Sequence, residues 1–192
     1  MLTDALTDLA REVDARCRLA GEFTLRSGTV SQEYFDKYRF EADPLLLRRV
    51  AEAMVPLLPS DAQVLGGLEL GGVPIATVLS SLTGLPLGLV RKQAKTYGTC
   101  QLIEGADVAG RRVVLVEDVI STGGAARAAA EELRRRDAQV DTVVCAIDRF
   151  DGEVHPLSEV GVQVRSVLTK RQLDALRQPD GTRADLSGSR PR

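Results

Sequence analysis

The chain has 192 residues and 25 Lys+Arg against 27 Asp+Glu, a net charge of −2. That length suits one domain, and 44 % apolar residues exclude a disordered chain. The near-neutral balance argues against a protein that coats nucleic acid, and no apolar run approaches the roughly 20 residues of a membrane helix. The first turns are charged, so no signal peptide is read and a cytoplasmic protein is expected. Residues 2–20 place Leu2, Leu6, Leu9, Val13 and Cys17 at helical spacing. From Gly21 to Phe40 apolar and polar residues alternate about Ser27-Gly28, which predicts a hairpin, and five of the seven aromatic residues fall there. Asp43-Pro44 opens a helix that runs to about Leu58, where Pro59 ends it.

Beyond Pro59 short apolar runs alternate with helices. Val64–Leu68, Leu87–Val90, Val113–Val116, Val140–Ile147 and Val162–Leu168 read as strands; Pro74–Leu82 and Gly124–Arg136 read as helices. This spacing implies βαβ units, and the continuous apolar runs suit strands covered on both faces. The fold class expected is therefore α/β, with a mainly parallel central sheet flanked by helices over one domain, residues 1–176. Residues 177–192, RQPDGTRADLSGSRPR, carry almost no apolar content and are expected to form a disordered tail.

His155 is the one histidine and precedes a proline, so it reads as a loop residue. Cys17, Cys100 and Cys145 are far apart with no CxxC pair, which excludes a disulfide framework and a structural zinc site. The basic residues are 21 arginines and four lysines, yet Lys92 and Lys95 lie within four residues of each other. Such a cluster in an arginine-rich chain points to function rather than to a solvated loop.

The chemistry concentrates in residues 113–125, VVLVEDVISTGGA. A buried strand ends on two acids, Glu117 and Asp118. A small-residue turn follows, Ser121-Thr122-Gly123-Gly124, and an alanine-rich helix begins. Ligands of open α/β sheets bind beyond the carboxyl ends of strands. The turn offers backbone N–H groups with little bulk, and the helix presents its positive end, which together cradle a phosphate monoester. Two carboxylates beside a phosphate repel it unless they hold hydroxyls or a metal; a sugar diol with Mg²⁺ meets both demands. Neither a G-x-x-x-x-G-K-[ST] motif nor a G-x-G-x-x-G motif after a strand occurs.

This segment resembles the thirteen-residue phosphoribosyl-diphosphate signature of type I phosphoribosyltransferases, and the remainder is similar to orotate phosphoribosyltransferases. FTLRSG at Phe23–Gly28 and YFD at Tyr34–Asp36 look like that family's base-covering hood, over about residues 20–40. GLELGGVPIA at Gly67–Ala76 looks like its diphosphate-contacting loop. RKQAKTYG at Arg91–Gly98 is similar to its mobile catalytic loop, over about 91–105, and AIDR at Ala146–Arg149 matches the strand end that helps hold orotate. The resemblance implies a Mg²⁺-dependent transfer of a phosphoribosyl group from phosphoribosyl diphosphate to orotate, in a homodimer whose catalytic loop serves the neighbouring subunit's site. It implies no nucleic-acid or membrane partner.

By that resemblance Lys95, Arg91, Lys92, Glu117 and Asp118 carry catalysis. Leu70, Gly71, Arg91, Lys92, Lys95 and Tyr97, with Glu117, Asp118, Val119, Ile120, Ser121, Thr122, Gly123, Gly124 and Ala125, bind phosphoribosyl diphosphate. Arg26, Tyr34, Phe35, Ser121 and Arg149 bind orotate. Mg²⁺ is held mainly by the substrate, with Glu117 and Asp118 as the protein's contribution. The pieces agree with the chemistry, because the leaving diphosphate needs cations kept from water. A flat anionic base needs a cation for its carboxylate and an apolar wall, and adjacent Tyr34 and Phe35 face opposite ways, so one packs while the other lines the site.

Three positions depart from the commoner pattern. Arg26 stands where lysine is frequent, Tyr97 stands where histidine is usual, and Gly71 stands where many members place a lysine, so the diphosphate loop lacks one cation. Backbone N–H groups of Leu70, Gly71 and Gly72 are expected to substitute, because glycine lets a backbone come close. Two other readings compete. A phosphoribosyltransferase for a purine lacks a carboxylate for Arg149 to meet. A non-catalytic sensor of phosphoribosyl diphosphate that binds nucleic acid calls for a basic face or an added helix-turn-helix.

Overall fold

The computed structural model describes residues 3–24, 28–92 and 102–177. Helix α1 (Asp4–Cys17) starts on Thr3, whose hydroxyl accepts the Leu6 N–H, and buries Leu9, Ala10, Val13 and Cys17. It stops short of the expected residue 20 because Arg18 turns extended and opens strand β1 (Arg18–Thr24), pairing its guanidinium with Asp14, Glu33 and Asp174. Strand β2 (Val30–Phe35) runs antiparallel to β1, the hairpin expected about Ser27-Gly28. A short helix α2 (Tyr38–Glu41) follows, then α3 (Pro44–Met54), where the Asp43 carboxylate accepts the N–H groups of Leu45 and Leu46 at 3.0 Å. Pro56 has no N–H to continue the helix, so the last turn tightens into a 3₁₀ segment, Val55–Leu57.

The central sheet contains β3 (Val64–Leu68), β4 (Leu87–Val90), β5 (Ile103–Gly105), β6 (Arg112–Ile120), β7 (Gln139–Asp148) and β8 (Gln163–Thr169), in the order β5-β4-β3-β6-β7-β8. All neighbours are parallel except β5, which runs antiparallel to β4 at the edge. Three residues are too few to show a period, so β5 has no signal in the sequence. Helix α4 (Gly72–Thr83) links β3 to β4, and α5 (Gly124–Arg134) links β6 to β7; α6 (Lys170–Ala175) closes the described chain. One face of the sheet packs on α1, α3, α4 and α6, the other on α5 and the 3₁₀ turn Pro156–Val160. The connections leave β3 and β6 in opposite directions, so the chain reverses its winding between these two central strands. Crevices in open α/β sheets form at such a reversal. The tail expected from 177 onward lies outside the described residues except for Arg177.

Candidate active site

The acid pair stands inside β6, not after it. The expected strand stopped at Val116, but the ladder to β7 continues through Glu117↔Cys145 to Ile120↔Asp148, while the ladder to β3 ends at Gly67↔Val116. The two acids therefore sit in a notch, supported by β7 on one side and open where β3 has ended. Successive residues of a strand face opposite sides. Glu117 lines a cavity of about 190 Å³ together with the turn at residues 119–126, whereas Asp118 is fully enclosed on the other side.

The turn owes its shape to Gly123, which has φ of +74° and caps α5. A Cβ there would lie 2.7 Å from Leu157 Cγ and 3.2 Å from His155 Cε1, so conformation and space both demand glycine. No side chain caps α5, which leaves the N–H groups of its first turn directed at the cavity as an anion cradle. His155 is more than a loop residue: its Nδ1 accepts the Leu157 N–H at 3.1 Å, and it backs the turn from below.

Asp118 shares its enclosure with two residues that sequence reasoning did not single out, Lys37 and Glu41. Lys37 Nζ lies 2.6 Å from Asp118 Oδ2, an ion pair set off the hydrogen-bonding direction. Burial pushes Glu41 up to about 9, reinforced by the neighbouring charge of Asp118, and does the same to Glu117. Burial acts on Asp118 in the same sense, but its carboxyl neighbours Glu117 and Glu41 and the Lys37 ammonium outweigh it and hold Asp118 below the usual carboxylate range. Asp118 is thus the member of the cluster favoured in its ionised form, with the Lys37 ammonium beside it, while burial favours the neutral form of Glu41 and Glu117. A signal for Lys37 existed: with only four lysines, each one invites the question asked of Lys92 and Lys95.

A consequence for stability follows. The native Glu41 keeps its proton where the unfolded chain, near 4.5, has lost it, so its contribution is full below 4.5 and is lost as pH rises toward 9. Glu41→Gln mimics the protonated form. Discounted for partial exposure, it should raise Tm at pH 8 by about 2–4 °C and leave Tm at pH 5 nearly unchanged. Thermal denaturation at both pH values checks this; equal shifts would refute it.

At the carboxyl end of β3, Leu70 is exposed, and the two glycines after it serve internal packing. A Cβ at Gly71 would fall 1.6 Å from Asp118 Oδ2, and one at Gly72 would fall 2.2 Å from the Val116 carbonyl oxygen. Across the crevice Arg91 donates its N–H to Leu102 O at 2.8 Å, and Lys92 donates its N–H to the Glu69 carboxylate at 2.9 Å. Lys95 and Tyr97 lie outside the described residues, as does Arg26. Of the residues assigned to the base, Arg149 stands over the Phe35 ring at 5.8 Å and has no carboxylate partner among the described residues. Tyr34 turns the other way, 43 % exposed, against Phe23 with ring centroids 5.4 Å apart. Ser121 is exposed at the cavity mouth.

An acid notch and an uncapped helix terminus at the winding reversal of a parallel sheet, with a hairpin over one end, define a phosphoribosyltransferase of type I fold. Residues 39–167 match the family model described as phosphoribosyl transferase domain. The chain is 65 % identical over 170 residues to an orotate phosphoribosyltransferase of Nocardioides sp., covering 88 % of this chain and 95 % of that one. It is 41 % identical to the Methanocella arvoryzae orotate phosphoribosyltransferase over 80 % of this chain and 87 % of that one. The crystal structure of Mycobacterium tuberculosis orotate phosphoribosyltransferase in complex with phosphoribosyl diphosphate superimposes with a TM-score of 0.75 at 30 % identity, over 88 % of this chain and 99 % of the other. The chain belongs to the orotate phosphoribosyltransferase family. Among the described residues no helix is long and apolar enough to cross a membrane.

Proposed function

We propose that this protein transfers the 5-phosphoribosyl group of phosphoribosyl diphosphate to orotate, giving orotidine 5′-monophosphate and diphosphate in pyrimidine synthesis. The observation that carries this reading is the junction of Glu117 with the uncapped first turn of α5 in one cavity. A phosphate monoester suits the N–H groups of Ser121–Ala125, and a ribose diol suits Glu117, oriented by the Asp118 N–H, which donates to its Oε1 at 3.2 Å. The bond from C1 to the diphosphate oxygen breaks, the bond from C1 to a ring nitrogen of orotate forms, and the diphosphate departs with the electron pair.

Arg149 and Phe35 supply the cation and the wall for the base, with Ser121 and Arg26 as its remaining contacts, while Tyr34 packs on Phe23 on the other side of the hairpin. Arg91, Lys92 and Lys95 supply charge to the leaving group, with Leu70, Gly71 and Tyr97 beside them. Mg²⁺ fits the residues present. Glu117 borders the cavity with its hard carboxyl oxygens and Asp118 stands enclosed behind it, while among the described residues no three His, Cys, Asp or Glu side chains converge into a cage. That donor set suits an ion carried by substrate phosphates, on which it would neutralise charge. The chain would work in the cytoplasm as a homodimer that shares the catalytic loop.

Orotate absorbance should fall on mixing with phosphoribosyl diphosphate and Mg²⁺, and adenine, guanine and hypoxanthine should not be consumed. Consumption of a purine instead would overturn the choice of base. Salt-sensitive retention on nucleic acid without turnover would point to a sensor. Lys95→Ala should cut kcat by about a hundredfold and raise KM by less than about threefold, because the charge it meets develops in the transition state. Equal losses in both constants would remove Lys95 from that role.

A further inference from the structure

We propose that Lys37 is the cation of the diphosphate loop: standing on Asp118 where a side chain at position 71 would begin, it binds a phosphate oxygen of the sugar diphosphate. This rests on the reading of the substrate given above. The space that a Cβ at position 71 would take is filled by Asp118 Oδ2, and Lys37 Nζ is 2.6 Å from that same oxygen. An ammonium carries three donors, and the Lys37 side chain is 32 % exposed, so donors remain for a second acceptor.

The groups around Lys37 on the Asp118 side of this loop are acids, Glu41, Glu117 and Asp118, with Glu69 on the loop itself; Arg91 and Lys92 line the cavity beyond Glu69. Lys37 is the one cation paired with that cluster among the described residues. On the Asp118 side of the loop, a diphosphate without Lys37 would face only carboxyl oxygens and backbone. The lysine is also well anchored, because the Asp36 N–H donates to Cys17 O at 2.7 Å and the Asp36 carboxylate accepts the Tyr38 N–H at 3.2 Å. Two residues earlier Phe35 lies under Arg149, so a single segment reaches both the base and the diphosphate ends of the site.

Lys37→Gln retains a donor for Asp118 and loses the charge; Lys37→Arg retains the charge. Calorimetric Kd and kinetic KM for phosphoribosyl diphosphate should rise about 10- to 100-fold in Lys37→Gln, with KM for orotate within about threefold, and Lys37→Arg should recover most of the loss. In the wild-type protein, inorganic diphosphate should slow labelling of Lys37 by an amine reagent at least about fivefold, a readout that needs no variant to fold. Unchanged diphosphate-ester binding in Lys37→Gln, or labelling indifferent to diphosphate, would reduce Lys37 to a counter-ion of Asp118. If wild-type protein binds phosphoribosyl diphosphate and leaves orotate untouched, the proposed reaction fails while the calorimetry and labelling still decide on Lys37.

Discussion

Neutralising both acids of β6, Glu117→Gln with Asp118→Asn, is expected to lower kcat/KM for phosphoribosyl diphosphate by about a hundred- to a thousandfold. The two carboxyls contribute differently. Glu117 borders the cavity, where the proposed sugar would meet it; Asp118 is enclosed, is held below the usual carboxylate range, and its N–H donates to Glu117 Oε1 at 3.2 Å. A hydrogen bond involving a charged partner is worth about 1.5–3 kcal/mol, and losing both the contact and the group that orients it accounts for the expected range. Asp118→Asn alone should carry the greater part. Glu117→Gln should cost about tenfold, because burial favours the neutral form of this carboxyl, which an amide resembles. Steady-state kinetics, with calorimetry in the presence of magnesium, tests the order. A doubly neutralised protein as active as the wild type would overturn the assignment of this notch to the phosphorylated sugar.

Gly72→Ala is expected to destabilise the protein by about 3 kcal/mol, lowering Tm by about 6–12 °C. The methyl would lie 2.2 Å from the Val116 carbonyl oxygen and 3.1 Å from its carbon, and both belong to the backbone of the central strand. Neither neighbour can rotate away as a side chain would, so α4 must lift off β6 and carry residues 70–72 with it. Activity should fall along with stability. Gly124→Ala is the contrast: its methyl meets nothing nearer than Thr122 Oγ1 at 3.9 Å, so stability should stay within about 0.5 kcal/mol while the methyl crowds the anion cradle and weakens phosphate binding. Thermal melts of the two variants decide the matter. A stable Gly72→Ala would show that the approach of α4 to β6 is not obligatory.

Much of this molecule was legible in the chain itself, because local physics dictates it. Continuous apolar runs such as Val64–Leu68 and Leu87–Val90 read as strands, and both match β3 and β4 residue for residue, β3 buried on both faces and β4 on one. Asp43-Pro44 starts its helix because a carboxylate and a proline complete the open N-terminus of a helix wherever they occur. The small-residue turn before Gly124 marked the start of α5 for the same reason.

What depended on long-range pairing was not legible. Glu117 and Asp118 look like residues after a strand, and only the β7 ladder keeps them within one. Gly71 and Gly72 read as room for a ligand; the fold uses that room for Asp118 and for the Val116 carbonyl. Lys37 and Asp118 lie 81 positions apart in the chain, and no pattern of spacing brings an ammonium on the hairpin to a carboxylate in the central strand. Sequence determines which segments must be helix, strand or anion-binding turn, since those choices follow from neighbouring residues. The partner of each buried charge is decided by how the hairpin packs on the sheet, where burial makes an unpaired charge too costly to keep.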